Sequence, residues 1–112
     1  MSDCLFCKMV AGDIQPDVVY DDERVLAFRD LHPQAPLHVL VIPKCHIANL
    51  NELDDASLGG HLLQVAAKIA AQFGYADSGY RTLFNCNDDG GQTVHHLHLH
   101  LLAGRAMHWP PG

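Results

Sequence analysis

Positive charge is scarce in this 112-residue sequence: seven Lys and Arg stand against 13 Asp and Glu, for a formal net charge of −6. The cations, Lys8, Arg24, Arg29, Lys44, Lys68, Arg81 and Arg105, are scattered singly. No nucleic-acid or anionic-membrane surface is expected, because such surfaces need clustered cations. Long apolar runs are missing too, and no segment reaches the roughly 18 apolar residues of a membrane span. The start, Met1-Ser2-Asp3-Cys4, carries neither a basic region nor a following apolar stretch. The expectation is therefore a soluble, cytoplasmic protein with no membrane partner. Repeats, low-complexity stretches and charge blocks are absent as well, which leaves one domain over residues 1–112. A chain this small buries a modest share of its surface, so dimerisation would help it.

Cysteine is sparse, at positions 4, 7, 45 and 86. In a reducing compartment the pair Cys4-x-x-Cys7 holds a metal or stays reduced. The alternative for the pair is two thiols packing as small hydrophobes, and Cys45 and Cys86 are read that way. Histidine is what the chain has in excess: nine, five of them between His95 and His108.

The pattern predicts a short helix from Cys4 to Ala11, with Asp3 as N-cap and Gly12 as stop. Strands are expected at Val18 to Tyr20, Val25 to Phe28 and Leu37 to Ile42, the first two joined by the acidic turn Asp21-Asp22-Glu23-Arg24. Asp54 to Phe73 carries the strongest helical period. Leu58, Leu62, Val65, Ala66, Ile69, Ala70 and Phe73 share one face, His61, Gln64, Lys68 and Gln72 the other, and Gly74 ends it. Leu63, Ala67 and Ala71 form a second, small-residue stripe, which suits either an interface or ordinary core. Arg81 to Asn85 reads as a strand, Asp88-Asp89-Gly90-Gly91 as a turn and Val94 to Leu102 as a final strand. The expected class is α+β: an antiparallel sheet of about five strands, one long helix and a short N-terminal helix.

An extended Val94 to Leu102 places His96, His98 and His100 on one side at ~7 Å intervals and Leu97, Leu99 and Leu101 on the other. Three imidazoles in strict alternation beside a Gly-rich turn suggest a reactive site. One chemistry is a His-x-His zinc site that activates water, using His96, His98 and His100. No carboxylate follows to complete it. The other is nucleophilic attack by an imidazole on phosphorus, which splits one difficult displacement into two easier ones and needs a partner to hold the ring's tautomer. The turn Gly90-Gly91-Gln92-Thr93 can offer backbone N–H groups to an anion, with the Thr93 hydroxyl as a further donor.

The run His96-Leu97-His98-Leu99-His100-Leu101-Leu102 resembles the signature of the histidine triad (HIT) family without departure. The resemblance covers nearly the whole chain. Phe28-Arg29-Asp30, Pro33-Gln34-Ala35-Pro36, His38-Val39-Leu40-Val41-Ile42-Pro43-Lys44, Gly90-Gly91-Gln92-Thr93-Val94 and Trp109-Pro110-Pro111-Gly112 look like the Hint branch, the purine nucleoside phosphoramidases. The resemblance implies a histidine triad fold and a nucleotide hydrolase or nucleotidyl transferase. His98 would attack the α-phosphorus of a purine nucleoside 5′-phosphate derivative of AMP or GMP type, forming a nucleotidyl-histidine intermediate. His100 would stabilise charge on the phosphate, with His38 and His96 in the hydrogen-bonded support. Asp30 would bind the ribose, and Asn85, Gly91, Gln92 and Thr93 the phosphate side, Thr93 standing where the family usually has Ser. Trp109 would reach toward the active site of a homodimer partner.

Some members carrying the same dicysteine pair use it with two histidines to hold a structural zinc, and the resemblance implies Cys4, Cys7, His46 and His96 here. The resemblance requires no catalytic cofactor. His32, His61 and His95 receive no role. A nucleotide-binding regulatory or scaffold protein with incidental turnover is the alternative, and a catalytic zinc on the triad is a third reading.

Overall fold

The computed structural model describes residues 3–112; Met1 and Ser2, the first two residues of the expected domain, lie outside the described residues. Helix α1 spans Leu5–Ala11. Its N-cap is Cys4, whose thiol accepts from the Cys7 N–H, and not Asp3. Gly12 closes it at φ 87°, a left-handed conformation that costs glycine nothing. Strands β1 (Val18–Asp21), β2 (Val25–Arg29), β3 (Leu37–Pro43), β4 (Tyr80–Phe84) and β5 (Leu99–Ala103) form one sheet in the order β1-β2-β3-β5-β4. Every neighbouring pair runs antiparallel. The β1–β2 turn is held by the Asp22 carboxylate, which accepts from the backbone N–H of Arg24 and Val25.

The long helix α2 spans Ala56–Gln72, capped by Asp55, which accepts from the N–H groups of Ser57 and Leu58. It stops two residues short of Gly74, which is left-handed at φ 88°. Leu58, Leu62, Val65, Ala66, Ile69 and Ala70 are buried against Val25, Ala27, Val39, Val41, Leu97, Leu99 and Leu101. Burying a side chain of Leu or Ile size contributes about 1.5–3 kcal/mol, so this layer dominates stability. Leu63, Ala67 and Ala71 face outward. No described helix is long and apolar enough to cross a membrane.

The period of two in the strands sends Leu26, Phe28, Leu40 and Ile42 to the opposite face, where Phe6 and Met9 of α1 cover them. The expected acidic turn at Asp88 to Gly91 is a short helix, α3 (Asn87–Gly90).

The expected strand from Val94 to Leu102 pairs only from Leu99 onward. The reason is local. The His96 carbonyl is bonded by the ring of His98, and the Leu97 N–H donates to the Ile47 carbonyl in a loop. The alternation survives: Leu97, Leu99 and Leu101 enter the α2 core while the three histidines point to the α1 side. Helix α1 lies over that side, and His96 and His98 are buried beneath it.

Candidate active site

Backbone groups decide which nitrogen of each central imidazole carries the proton. His98 Nδ1 lies 2.7 Å from the His96 carbonyl, so Nδ1 donates and Nε2 keeps its lone pair. The Gln34 N–H donates to His38 Nδ1 at 3.0 Å, which puts the proton of neutral His38 on Nε2. That Nε2–H reaches His100 Nδ1 at 2.9 Å, with an Asp30 oxygen farther off at 3.5 Å. His100 Nδ1 is therefore an acceptor, and its Nε2 is a donor. The register produces this contact, since Leu40 lies opposite His100 and His38 opposite Leu102, making the two histidines diagonal neighbours across β3 and β5. The rings of His98 and His100 are 4.9 Å apart, closer than the ~7 Å of two side chains on one regular strand face. A fixed lone pair thus stands beside a fixed N–H donor.

Both histidines line a cavity of about 520 Å³. Asp30 stands in its wall, with one oxygen accepting from the His32 N–H, and Thr93 lines it as well. The remainder is largely apolar: Leu5, Phe6 and Met9 from α1, then Ile14, Phe28 and Leu40. A largely apolar slot carrying the Asp17 and Asp30 carboxylates, the Thr93 hydroxyl and the His32, His98 and His100 imidazoles suits a small ligand with an apolar body and a polar remainder. The α1 wall escaped sequence reasoning. The apolar residues Leu5, Phe6 and Met9 on a seven-residue helix were its one signal. His32, given no role from sequence, lines the same cavity, whereas His61 is bonded to Asp22 on the α2 side and His95 is exposed.

Asn85, Gly91, Gln92 and Trp109 do not line the cavity. The N–H groups of Gly91 and Gln92 donate to Asp88 and Asn87 carbonyls, closing α3, so they are not free to form the expected anion cradle. The Gln92 side chain is buried and bridges three segments, accepting from the Asn87 N–H and donating to the Ala48 and Val94 carbonyls. Gln92 positions the chain on which Thr93 sits. Gln92→Ala is expected to lower stability by about 1 kcal/mol, because it removes three hydrogen bonds to half-buried backbone groups; urea unfolding checks this. Trp109 is 83% exposed in the tail.

On the far side of Phe6, four metal-ligating side chains meet. Cys4 and Cys7 sulfurs lie 3.3 and 3.5 Å from His96 Nδ1, and the Cys7 sulfur 3.3 Å from His46 Nδ1. All four donor atoms fall within 4.8 Å of one another. Sulfur and nitrogen bound to one tetrahedral zinc are about 3.5 Å apart, given bond lengths near 2.3 and 2.0 Å. His96 Nε2 donates to the Pro43 carbonyl at 2.8 Å, which leaves Nδ1 as the ligating nitrogen and fixes the ring. The donor set fits zinc.

Asp30, His38 and His100 also gather their donor atoms, but there the tautomers oppose a metal. A lone pair on His38 Nε2 would move its proton to Nδ1, against the Gln34 N–H that now donates to it. No described group brings His96, His98 and His100 together as ligands, so the catalytic-zinc reading lacks a site.

Burial holds His38 below the ordinary histidine range despite the nearby Asp30. Burial, reinforced by His98 and His38, pushes His100 down to about 4, with Asp30 opposing. Both are neutral in the fold at pH 7, as a hydrogen-bonded chain of neutral rings requires. The unfolded chain binds protons on them near pH 6.5, and the folded protein only at lower pH. Stability is therefore expected to fall as pH drops from about 6.5 toward 4, by up to about 1.4 kcal/mol per pH unit for His100 within that window, with His38 acting in the same direction. Urea midpoints at pH 7, 6 and 5, measured in chelator so that metal release does not contribute, check the sign.

The molecule is thus an antiparallel sheet closed on one side by a long helix, with a backbone-locked imidazole beside a locked imidazole donor on the other. The HIT domain model matches residues 11–107, and the chain belongs to that family. The solved HIT family hydrolase of Legionella pneumophila Philadelphia 1 superposes with a TM-score of 0.95 at 52% identity, covering 98% of this chain and 100% of that one. Purine nucleoside phosphoramidase of Escherichia coli K12 is 46% identical over 105 residues, 92% of this chain and 88% of the relative. The 14 kDa zinc-binding protein of Zea mays is 46% identical over 115 residues, 99% of this chain and 89% of the relative.

Proposed function

We propose that this protein is a nucleoside phosphoramidate hydrolase, a homodimer acting in the cytoplasm, that cleaves the P–N bond at the α-phosphate of purine nucleoside 5′-phosphoramidates. The observation carrying the reading is the tautomer lock: Nδ1 of His98 is tied to the His96 carbonyl, and Nε2 is the nitrogen left for the cavity. In this reading the base lies in the apolar slot and the ribose hydroxyls donate to Asp30. His98 Nε2 attacks phosphorus, the P–N bond breaks, and the departing nitrogen takes up a proton supplied by solvent water through the Thr93 hydroxyl in the cavity wall, which passes one proton on as it receives another. His100 Nε2–H stabilises charge developing on the phosphate oxygens. Water then attacks the nucleotidyl-His98, the P–Nε2 bond breaks, and the nucleoside monophosphate leaves. The E. coli relative's name supports the substrate class.

Bound zinc on Cys4, Cys7, His46 and His96 would act as a structural staple, and the chemistry would need no catalytic cofactor. The exposed Trp109 and the outward Leu63 stripe would become contacts between subunits, with the tail directed to the partner's site. Incubation with an adenosine 5′-phosphoramidate, rapid quenching and intact-mass analysis test the proposal. An adduct of one nucleotidyl group is expected; turnover without one would exclude the covalent route.

A further inference from the structure

The metal cluster and the cavity share a wall. Helix α1 begins at the Cys4 cap, carries Cys7, and turns Leu5, Phe6 and Met9 toward the cavity. Its backbone hydrogen bonds run within residues 4–14 and it joins no strand ladder. Seven residues are far fewer than an isolated helix needs in water. Two things hold it on the sheet: the packing of Phe6 and Met9 on Leu26, Phe28, Leu40 and Ile42, and the meeting of its two thiols with His46 and His96.

Phe6 lies between the two cysteines in sequence and between the two sites in space. Its ring meets those of His98, Phe28 and His96 edge-on, at centroid distances of 5.2, 5.4 and 5.8 Å. His96 belongs to both sites as well, offering Nδ1 to the thiols and its carbonyl to the ring of His98. A surface depression lined by Asp3, Cys4, Leu5, His46 and His95 reaches Cys4 and His46, two of the four cluster residues.

We propose that metal occupancy of the Cys4, Cys7, His46 and His96 cluster sets how tightly the cavity holds a nucleotide, by clamping α1 as its apolar wall. The inference rests on the nucleotide reading above and goes beyond it, since it makes a structural metal a regulator of ligand affinity. With metal bound, α1 is fixed and Leu5, Phe6 and Met9 present a preformed surface. With metal removed, the wall is held by apolar packing alone, and a nucleotide must order it on binding. Linkage makes the effect mutual: whatever factor metal adds to nucleotide affinity, nucleotide adds to metal affinity.

The test compares zinc-loaded protein, chelator-stripped protein and Cys7→Ser, with Cys45→Ser as a control because that exposed thiol lies outside the cluster. Calorimetry gives AMP affinity, zinc titration with and without saturating AMP gives the reciprocal factor, and hydrogen exchange without nucleotide reports on residues 5–11. Stripping and Cys7→Ser are expected to weaken AMP binding about tenfold and to speed α1 exchange by a similar factor. Exchange in β3 and β5 should stay slow, and Cys45→Ser should match the wild type. AMP affinity within twofold across the three forms, or unchanged α1 exchange, overturns the proposal. So does faster exchange in β3 and β5, which would make the metal a staple of the whole fold, and so does failure to bind zinc. If AMP binds none of the forms, the nucleotide reading fails, and α1 exchange alone then judges the clamp.

Discussion

His98→Ala is expected to reduce hydrolysis of adenosine 5′-phosphoramidate by about 10⁴-fold or more, and to abolish the nucleotidyl adduct, while AMP still binds. The size follows from the role. Among His38, His98 and His100, only His98 keeps a ring nitrogen that is both unprotonated and unbonded: His38 Nε2 and His100 Nε2 carry protons, His38 Nδ1 accepts from Gln34, and His100 Nδ1 is bonded to His38, while His32 lines the cavity outside this hydrogen-bonded set. Removing the nucleophile removes the covalent route and leaves only the effects of binding and donor placement. The slot, Asp30 and His100 remain, so AMP affinity should change by no more than a few-fold. Steady-state rates, intact-mass detection and calorimetry on the same preparation check all three parts. A wild-type protein that binds AMP without any turnover would instead favour nucleotide sensing.

His38→Leu is expected to lower kcat about 10²-fold, as loss of one preorganised donor to a charged transition state does. His38 acts through His100. Its Nε2–H holds His100 Nδ1 as an acceptor, which keeps the proton on Nε2, the nitrogen that the proposed mechanism directs at the phosphate. Leucine preserves the apolar bulk but frees His100 to take the other tautomer, which would turn a lone pair toward an anion. His38→Gln carries an amide N–H near the place of His38 Nε2 and should restore most of the rate. The His100 ring nitrogen shifts separate this from simple loss of structure. They should report a proton on Nε2 in the wild type and in His38→Gln, and a mixture of tautomers in His38→Leu.

Side-chain alternation was legible because it follows from the geometry of an extended chain. Leu97, Leu99 and Leu101 could be sent inward and His96, His98 and His100 outward with no knowledge of what lay beyond. The helix over Ala56–Gln72 was legible for the same kind of reason, a 3.6-residue period with an acidic cap. The ladder's start at Leu99 was not. It depends on the His98 ring taking the His96 carbonyl, a choice made by rotamer and by the packing of Phe6. The Gly90-Gly91 turn misled in a similar way, since a Gly-rich run offers N–H groups on paper, and only the closing of α3 shows that Gly91 and Gln92 have already used theirs.

The sequence by itself determined an antiparallel α+β chain with one amphipathic helix, a histidine-rich strand and a net acidic composition, since these depend on local period and composition. The HIT signature belongs to the same level, being a short run of residues readable in order. Which imidazole holds a lone pair, which carries a proton, and which thiols meet which rings were decided only by the tertiary structure. Cys7 and His46 are 39 positions apart, Cys4 and His96 are 92, and His38 and His100 are 62. Contacts at such separations are set by strand register and by the docking of α1. The ring of His98 is the plainest case: its identity is in the sequence, and its tautomer comes from a carbonyl two residues away that the fold turns back toward it.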